Sequence, residues 1–562
     1  MSDRERITVG ELVAVFLEQC GVRAAFGVIS IHNMPILDAF GRRAAAASAK
    51  GQPAPIRFVA SRSEGGAVNM ADGNARVSGG LGVAVTSTGT AAGNACGAMV
   101  EALTACSPVL HITGQIELPY LDRDLGYIHE ARDQPMMLKS VSKAAFRIWS
   151  PETALGTMRE AVRAALTAPM GPVSIEIPID VQGAMVDLPA DLSPLTVAAT
   201  PPDEKALDRL AEQLAAAKRP LLWVGGGTRG AREAVRRLAE LGFGVVSSVQ
   251  GRGVLPEDHP MSLGAHHMSA PAEQFYATCD AMLVVGSKLR SNETVKYKLK
   301  LPRPLYRVDA DPRADGRSYP PDLFVGGDAR LVLEGLASRL DGKMKVDPRF
   351  ANDVRAARKV LEQDIRNGLG PYEKLLDGLA AVKEYVWVRD ITLSNSIWGN
   401  RMMSITDPRY AVHATGGGIG QGIQQALGAA LAAPERKTLC LTGDGGLQVN
   451  IGELATLAQE RANVVVIVMN DGGYGVIRNI QDSQFGGRHY YVNLHTPDFG
   501  LLAQSLGIPF SRVTDLAKLE SPLSQALATN GPAMIEVDMA SVGPFAAAYA
   551  GPPDRKAEKA VA

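Results

Sequence analysis

The sequence predicts an α/β protein made of three doubly wound parallel-sheet domains. Short apolar runs alternate along the whole chain with longer stretches of helical period, which is the pattern of parallel strands covered by helices on both faces. Several of these runs end in Gly or Asp, residues suited to turning a strand into a following helix. At 562 residues the chain is also too long for one hydrophobic core, so it must divide.

In chain order, the candidate buried strands are 82–86, 109–113, 220–224, 281–285, 438–441, 464–469 and 533–537. Composition shifts twice. The Pro/Ala/Thr-rich stretch VDLPADLSPLTVAATPPD covers 186–203, and a charged helical stretch follows Gly342 before a new strand begins at Val386. These linkers divide the chain into 1–185, 186–345 and 346–562, each of ordinary domain size. The first and third units share one strand-helix rhythm, and residues 551–562 read as a frayed tail.

Hydrophobic residues make up 46% of the chain and charged ones 21%, the profile of a soluble globular protein. A net charge of −1 with scattered Lys and Arg offers no field for nucleic acid or an anionic membrane, so a small-molecule substrate is expected. The first residues lack a basic segment followed by a long apolar run, and no stretch approaches a membrane span. Five cysteines without metal-type spacing read as reduced core thiols of a cytoplasmic protein.

The chemistry concentrates in KTLCLTGDGGLQVNIGELATLAQE. A buried strand runs into Gly443-Asp444-Gly445-Gly446 and then a helix, which puts Asp444 at the carboxyl end of a strand, where α/β sheets bind ligands. The glycines let backbone approach a phosphate, and the helix N-terminus aims free amides at it. A second strand, NVVVIVMN, ends in Asn470-Asp471-Gly472-Gly473. One carboxylate, one amide oxygen and a turn able to lend a carbonyl make a hard-oxygen site for Mg²⁺. Taken singly, each segment is an ordinary strand-helix turn.

The 24 residues between Gly445 and Asn470 make the pair resemble the signature of thiamine-diphosphate enzymes, acetolactate synthase and benzoylformate decarboxylase among them. The likeness implies thiamine diphosphate and Mg²⁺ as cofactors, with Asp444, Asn470 and the Gly472 carbonyl as metal ligands. It also names the three units pyrimidine-binding, central and diphosphate-binding. FVASRSEGGAVNMADGNARVSG resembles the block whose Glu activates the aminopyrimidine ring, which implies that role for Glu64. By the same resemblance Thr88 to Ala91 border the pyrimidine, Gln115 faces the reaction centre, and Ser30 to His32 border it, with His32 a candidate for proton transfer.

VHATGGGIGQGIQQALGAAL is similar to the family's glycine turn, which implies that Gly418 and Ile419 hold the bent cofactor. Thr392 stands where relatives donate a hydroxyl to the diphosphate, and Tyr474, Gly475 and Val476 follow the metal site towards the substrate. Gly225, Gly227 and Gly230 spell a dinucleotide fingerprint, but no acidic residue follows at the spacing that a ribose needs. Acetolactate synthases bind FAD across the central domain, and His266 in LGAHH resembles part of their segment there, but the following GSKLRSNET departs from theirs, so FAD is possible here but not favoured.

The reaction implied is decarboxylation of a 2-oxo acid such as pyruvate. Fungal-type pyruvate decarboxylases carry an acid where this chain has Val476, which points to acyl transfer onto a second carbonyl, as in acetolactate synthase. Against it, GTAAGNACGAM resembles benzoylformate decarboxylase, and Asn479 stands where acetolactate synthases place Trp, so simple decarboxylation is the alternative. A nucleotide-dependent oxidoreductase using residues 225–230 is a remote one. The family also implies a homodimer at least, commonly a homotetramer, with Glu64 of one chain meeting Asp444 of its partner.

Overall fold

A computed structural model of the chain describes residues 5–551; most of the tail read from 551 onward lies outside the described residues. The first unit holds β1 (Arg6–Thr8), β2 (Ala24–Gly27), β3 (Arg57–Ala60), β4 (Gly82–Thr86), β5 (Val109–Gln115), β6 (Ala144–Arg147), β7 (Val173–Pro178) and β8 (Met185–Asp187). Its six-stranded parallel sheet runs β3-β2-β4-β5-β7-β6, while β1 and β8 pair antiparallel beside it.

The middle unit holds β9 (Pro220–Val224), β10 (Gly244–Ser247), β11 (Ala281–Val285), β12 (Leu305–Asp309) and β13 (Leu323–Gly326) in the parallel order β10-β9-β11-β12-β13. The last unit has β14 (Tyr385–Arg389), β15 (Ala411–His413), β16 (Lys437–Gly443), β17 (Val464–Asn470), β18 (Phe510–Val513) and β19 (Ala533–Asp538). Its parallel order is β15-β14-β16-β17-β19-β18. Renumbered from their own first strand, the outer two sheets have the same order, so the shared rhythm is a shared topology.

All seven strands expected from the sequence are present. The reason is clearest in β17, where VVVIVM is buried throughout because β16 and β19 flank it and helices cover both faces. Residues 188–203 carry no helix or strand. The charged stretch after Gly342 forms the Phe350–Asn367 helix, whose Phe350, Val354 and Leu361 join the middle core while Ile365 joins the last unit's core.

The outer units share one core. Val68, Met70 and Ala71 of the Glu64–Ser78 helix pack with Ile423, Ala426 and Leu427 of the Gly422–Ala432 helix. Glycine makes the approach possible, since a Cβ on Gly428 would lie 1.9 Å from the Met70 carbonyl oxygen, and one on Gly73 would lie 2.2 Å from that of Gln425. The seam is also polar. Buried Arg76 bonds Asp72 at 2.6 Å, Glu101 at 3.1 Å and the His413 carbonyl at 2.6 Å, and Gln425 donates to Asp72 at 3.0 Å. Breaking one partner of such a buried network strands the others.

Candidate active site

In the last unit, the carboxyl ends of β14, β16 and β17 converge. Asp444 opens the Asp444–Val449 helix directly after β16 and is buried. Its Oδ1 accepts the Asp471 amide at 3.2 Å, whereas its Oδ2 is buried without a partner. Burial first, and then the neighbouring Asp471, push its carboxyl up to about 7. Burial also raises Asp471. Two close carboxylates with an unpartnered buried oxygen suit a divalent cation, which would hold both ionised.

Asn470 ends β17. Its amide donates to buried Glu536 at 2.8 Å, which leaves Oδ1 turned towards the Gly472 amide at 3.1 Å. Glu536 therefore orients this candidate ligand from behind. Gly472 has φ +75, a left-handed turn that favours glycine, and its carbonyl takes one bond, from the Leu494 amide at 3.1 Å, so one lone pair is free. The cradle is close-fitting: a Cβ on Gly445 would meet the Gly473 carbonyl at 2.7 Å and the Tyr474 ring at 2.9 Å. Gly475 begins the Gly475–Gln484 helix, and Val476 packs against the core.

Thr392 is buried beside Gly443, its Oγ1 3.6 Å from where a Cβ of that glycine would stand. Gly418 is exposed and Ile419 half-buried in the turn before the Gly422–Ala432 helix. Asp390, at the end of β14, holds this turn, accepting the Gly420 and Gly422 amides at 3.1 Å each; burial lifts its carboxyl to about 6. Gly446 lies beneath the turn, its carbonyl 2.7 Å from a Cβ built on Gly420. Beyond Asp471 a cavity of about 540 Å³ is walled by Leu393, Asp471, Arg478, Asn479 and residues 543–548.

The first unit's residues lie at the corresponding edge of its own sheet. Glu64 begins its helix, half-buried, and accepts from Asn94 Nδ2 at 3.1 Å. Buried Glu453 braces that helix start, accepting the amides of Arg62 and Ser63 and the Ser63 hydroxyl, each at 3.1 Å. Thr88 and Gln115 form a buried pair: the Thr88 hydroxyl is 2.9 Å from Gln115 Oε1, and the Gln115 amide reaches Glu176 at 3.3 Å. Gln115 thus bonds within its own unit. His32 is 4% exposed, its carbonyl pressed on Gly114. Burial first, then His129, lowers its pKa.

Two candidate half-sites can be drawn. In the last unit Thr392, Asp444, Asn470, Gly472 and Tyr474 lie at the carboxyl ends of neighbouring strands, with Gly418 and Ile419 in the turn above Gly446; in the first unit Thr88 bonds Gln115, the His32 carbonyl lies on Gly114, and Glu64 begins the helix after β3. Among the described residues no hydrogen bond or ion pair joins Glu64 to Asp444.

Three family models match the chain: thiamine pyrophosphate enzyme N-terminal TPP binding domain over 7–137, central domain over 207–336, and C-terminal TPP binding domain over 393–537. The chain belongs to the thiamine pyrophosphate enzyme family. A Pseudomonas aeruginosa protein described as a probable 2-ketoarginine decarboxylase is 33% identical over 552 residues, covering 96% of this chain and 95% of that one. A Methanocaldococcus jannaschii protein described as a probable acetolactate synthase large subunit is 28% identical over 563 residues, covering 94% and 91%. A solved Mycobacterium smegmatis chain described as a putative thiamin diphosphate-dependent enzyme superposes with a TM-score of 0.78 at 24% identity, covering 95% of this chain and 99% of that one, a likeness of fold.

For this thiamine pyrophosphate enzyme, Asp390, Glu453 and Glu536 are the supports that sequence reading missed. Asp390 stood two residues before Thr392, and Glu453 lay inside the GDGG segment, but their partners are distant in sequence. The fingerprint glycines have another use. Gly225 and Gly227 pack on the Gly286 backbone, where a Cβ would come within 2.1 and 2.9 Å. Among the described residues no helix is long and apolar enough to cross a membrane.

Proposed function

We propose that the chain decarboxylates a 2-oxo acid and transfers the acyl unit to a second carbonyl, with thiamine diphosphate held through Mg²⁺ in the last unit. The observation that carries this reading is the buried, unpartnered Oδ2 of Asp444 beside the Gly443–Gly446 cradle. Bound thiamine diphosphate supplies the nucleophilic carbon and the electron sink for loss of CO₂. Asp444, Asn470 and the Gly472 carbonyl hold the metal, and the cradle amides with the Thr392 hydroxyl take the diphosphate. Gly418 and Ile419 would support the cofactor's middle, and the Glu64 carboxyl would hold a proton for a nitrogen of its aminopyrimidine ring.

Val476 supports acyl transfer, because an apolar side chain packed on the core supplies no proton to the reacting carbon. A second reading, release of free aldehyde, is favoured by Asn479. Its amide bonds the Gly475 carbonyl at 2.9 Å beside the open cavity, and the relative at 33% identity is described as a decarboxylase. The active unit is inferred to be a dimer at least, with the two half-sites meeting between chains. Next to them Ile29 (61% exposed), Ile31 (64%) and Val449 (52%) leave apolar surface uncovered.

The test is to supply Mg²⁺ and thiamine diphosphate, add a panel of 2-oxo acids with and without aldehyde acceptors, and identify products by NMR while recording the visible spectrum for flavin. Mixed ligation products are expected. Free aldehyde alone from every acid leaves the second reading, and no CO₂ from any acid defeats both. A fully active monomer at high dilution would contradict the dimer.

A further inference from the structure

The loop after β5 carries polar groups that none of the assigned roles uses. Glu117 follows Gln115 by two residues. It lies close enough to the Tyr127 hydroxyl to raise its pKa, and its Oε2 is buried with no partner. His32 lies against the end of the same strand, its carbonyl on Gly114, and its Nδ1 is likewise buried and unpartnered. The His32 ring lies 5.3 Å from that of His129, centroid to centroid, and His32 feels both the Glu117 charge and His129.

These groups are held against the sheet edge. A Cβ on Gly89 would stand 2.0 Å from the His129 carbonyl oxygen, and one on Gly114 would stand 2.1 Å from that of His32. Both loops therefore sit on the ends of β4 and β5, beside Thr88 and Gln115. Around them Ile31 and Ile128 expose apolar side chains.

An ionised carboxylate oxygen accepts hydrogen bonds and cannot donate, and a neutral imidazole has one nitrogen that also accepts. Burying such atoms unpaired is costly unless a ligand supplies donors. We propose that Glu117, with His32 and His129, forms the pocket for the far end of the substrate and selects 2-oxo acids whose side chain ends in a cation rich in hydrogen-bond donors, such as a guanidinium or ammonium. This rests on the proposed 2-oxo acid reading and adds the substrate class to it.

The test uses enzyme loaded with Mg²⁺ and thiamine diphosphate and 2-oxo acids of equal length ending in guanidinium, ammonium, primary amide or methyl. The guanidinium or ammonium acid is expected to exceed the methyl acid in kcat/KM by at least ~10-fold, mostly through KM, since a site built to pair polar groups rejects analogues that lack them. Glu117→Gln should collapse that ratio; Glu117→Asp, which keeps the charge but withdraws it by one methylene, should also lower it and serves if the first variant does not fold. As a readout independent of turnover, propylguanidine should raise the Tm of the wild type and not that of Glu117→Gln. A wild-type ratio near one, or a ratio unchanged in a folded Glu117→Gln, overturns the proposal. Propylguanidine binding with no 2-oxo acid decarboxylated would instead sink the proposed function and leave the pocket.

Discussion

Replacing Asp444 with Asn should have opposite effects with and without cofactor. The substitution keeps shape and keeps an oxygen for the Asp471 amide, 3.2 Å away, while removing a buried charge that burial and Asp471 disfavour. Relief of an uncompensated buried group amounts to about 1–3 kcal/mol. The cofactor-free variant should therefore melt higher than the cofactor-free wild type. With Mg²⁺ and thiamine diphosphate at about 100 times their Kd, the wild type gains ~2.7 kcal/mol, or about 5–10 °C in Tm for a domain of this size. Losing a ligand's outer-shell partner already weakens metal binding ~10- to 100-fold, and loss of the ligand charge itself should cost at least that, which leaves a gain of at most about 0.4–1.4 kcal/mol at the same concentrations. Differential scanning calorimetry with and without cofactor reads both effects. A cofactor-free variant that melts lower, or a cofactor shift equal to the wild type's, would refute the assignment.

Gly428→Ala drives a methyl into the Met70 carbonyl, so about 1–3 kcal/mol of overpacking should outweigh the ~1 kcal/mol of helix propensity gained, and thermal unfolding should show a Tm lower by a few degrees. Glu453→Ala removes the acceptor for the amides of Arg62 and Ser63, so kcat should drop with the displaced Glu64 while the protein, followed by circular dichroism, stays folded. Burial lowers buried His111 from 6.5 to about 4. Below pH 6.5 the unfolded chain takes that proton first, so stability is full above 6.5 and falls towards pH 4, by at most about 3 kcal/mol. His111→Gln should make the urea midpoint fall less steeply with pH over that window, by its own share, since buried His267 is lowered to about 4 as well.

What was legible in the sequence was what is local. Strands β16 and β17, with the turns that follow them, announce themselves within about thirty contiguous residues, because apolar runs and glycine turns are short-range signals. Glu453 was not legible, because its partners Arg62 and Ser63 are some 390 residues away in the chain. Asp390 reads as a strand-end residue until the turn it holds, at Gly420 and Gly422, is brought beside it. Gly73 and Gly428 look like poor helix residues, and only the packed helices explain them. His129 lies in an irregular loop with no periodicity to mark it.

The glycine seam between the Glu64–Ser78 and Gly422–Ala432 helices sets where this enzyme can be altered. Contact there is backbone against Cβ-free backbone, so no neighbouring side chain can shrink to admit a larger residue, and compensating pairs of substitutions are unavailable to it. Attempts to redirect substrate choice should leave that seam alone and diversify the loop from Glu117 to Asp133 and the Gly475–Gln484 helix, whose exposed positions can vary without shifting the packed frame of the outer units.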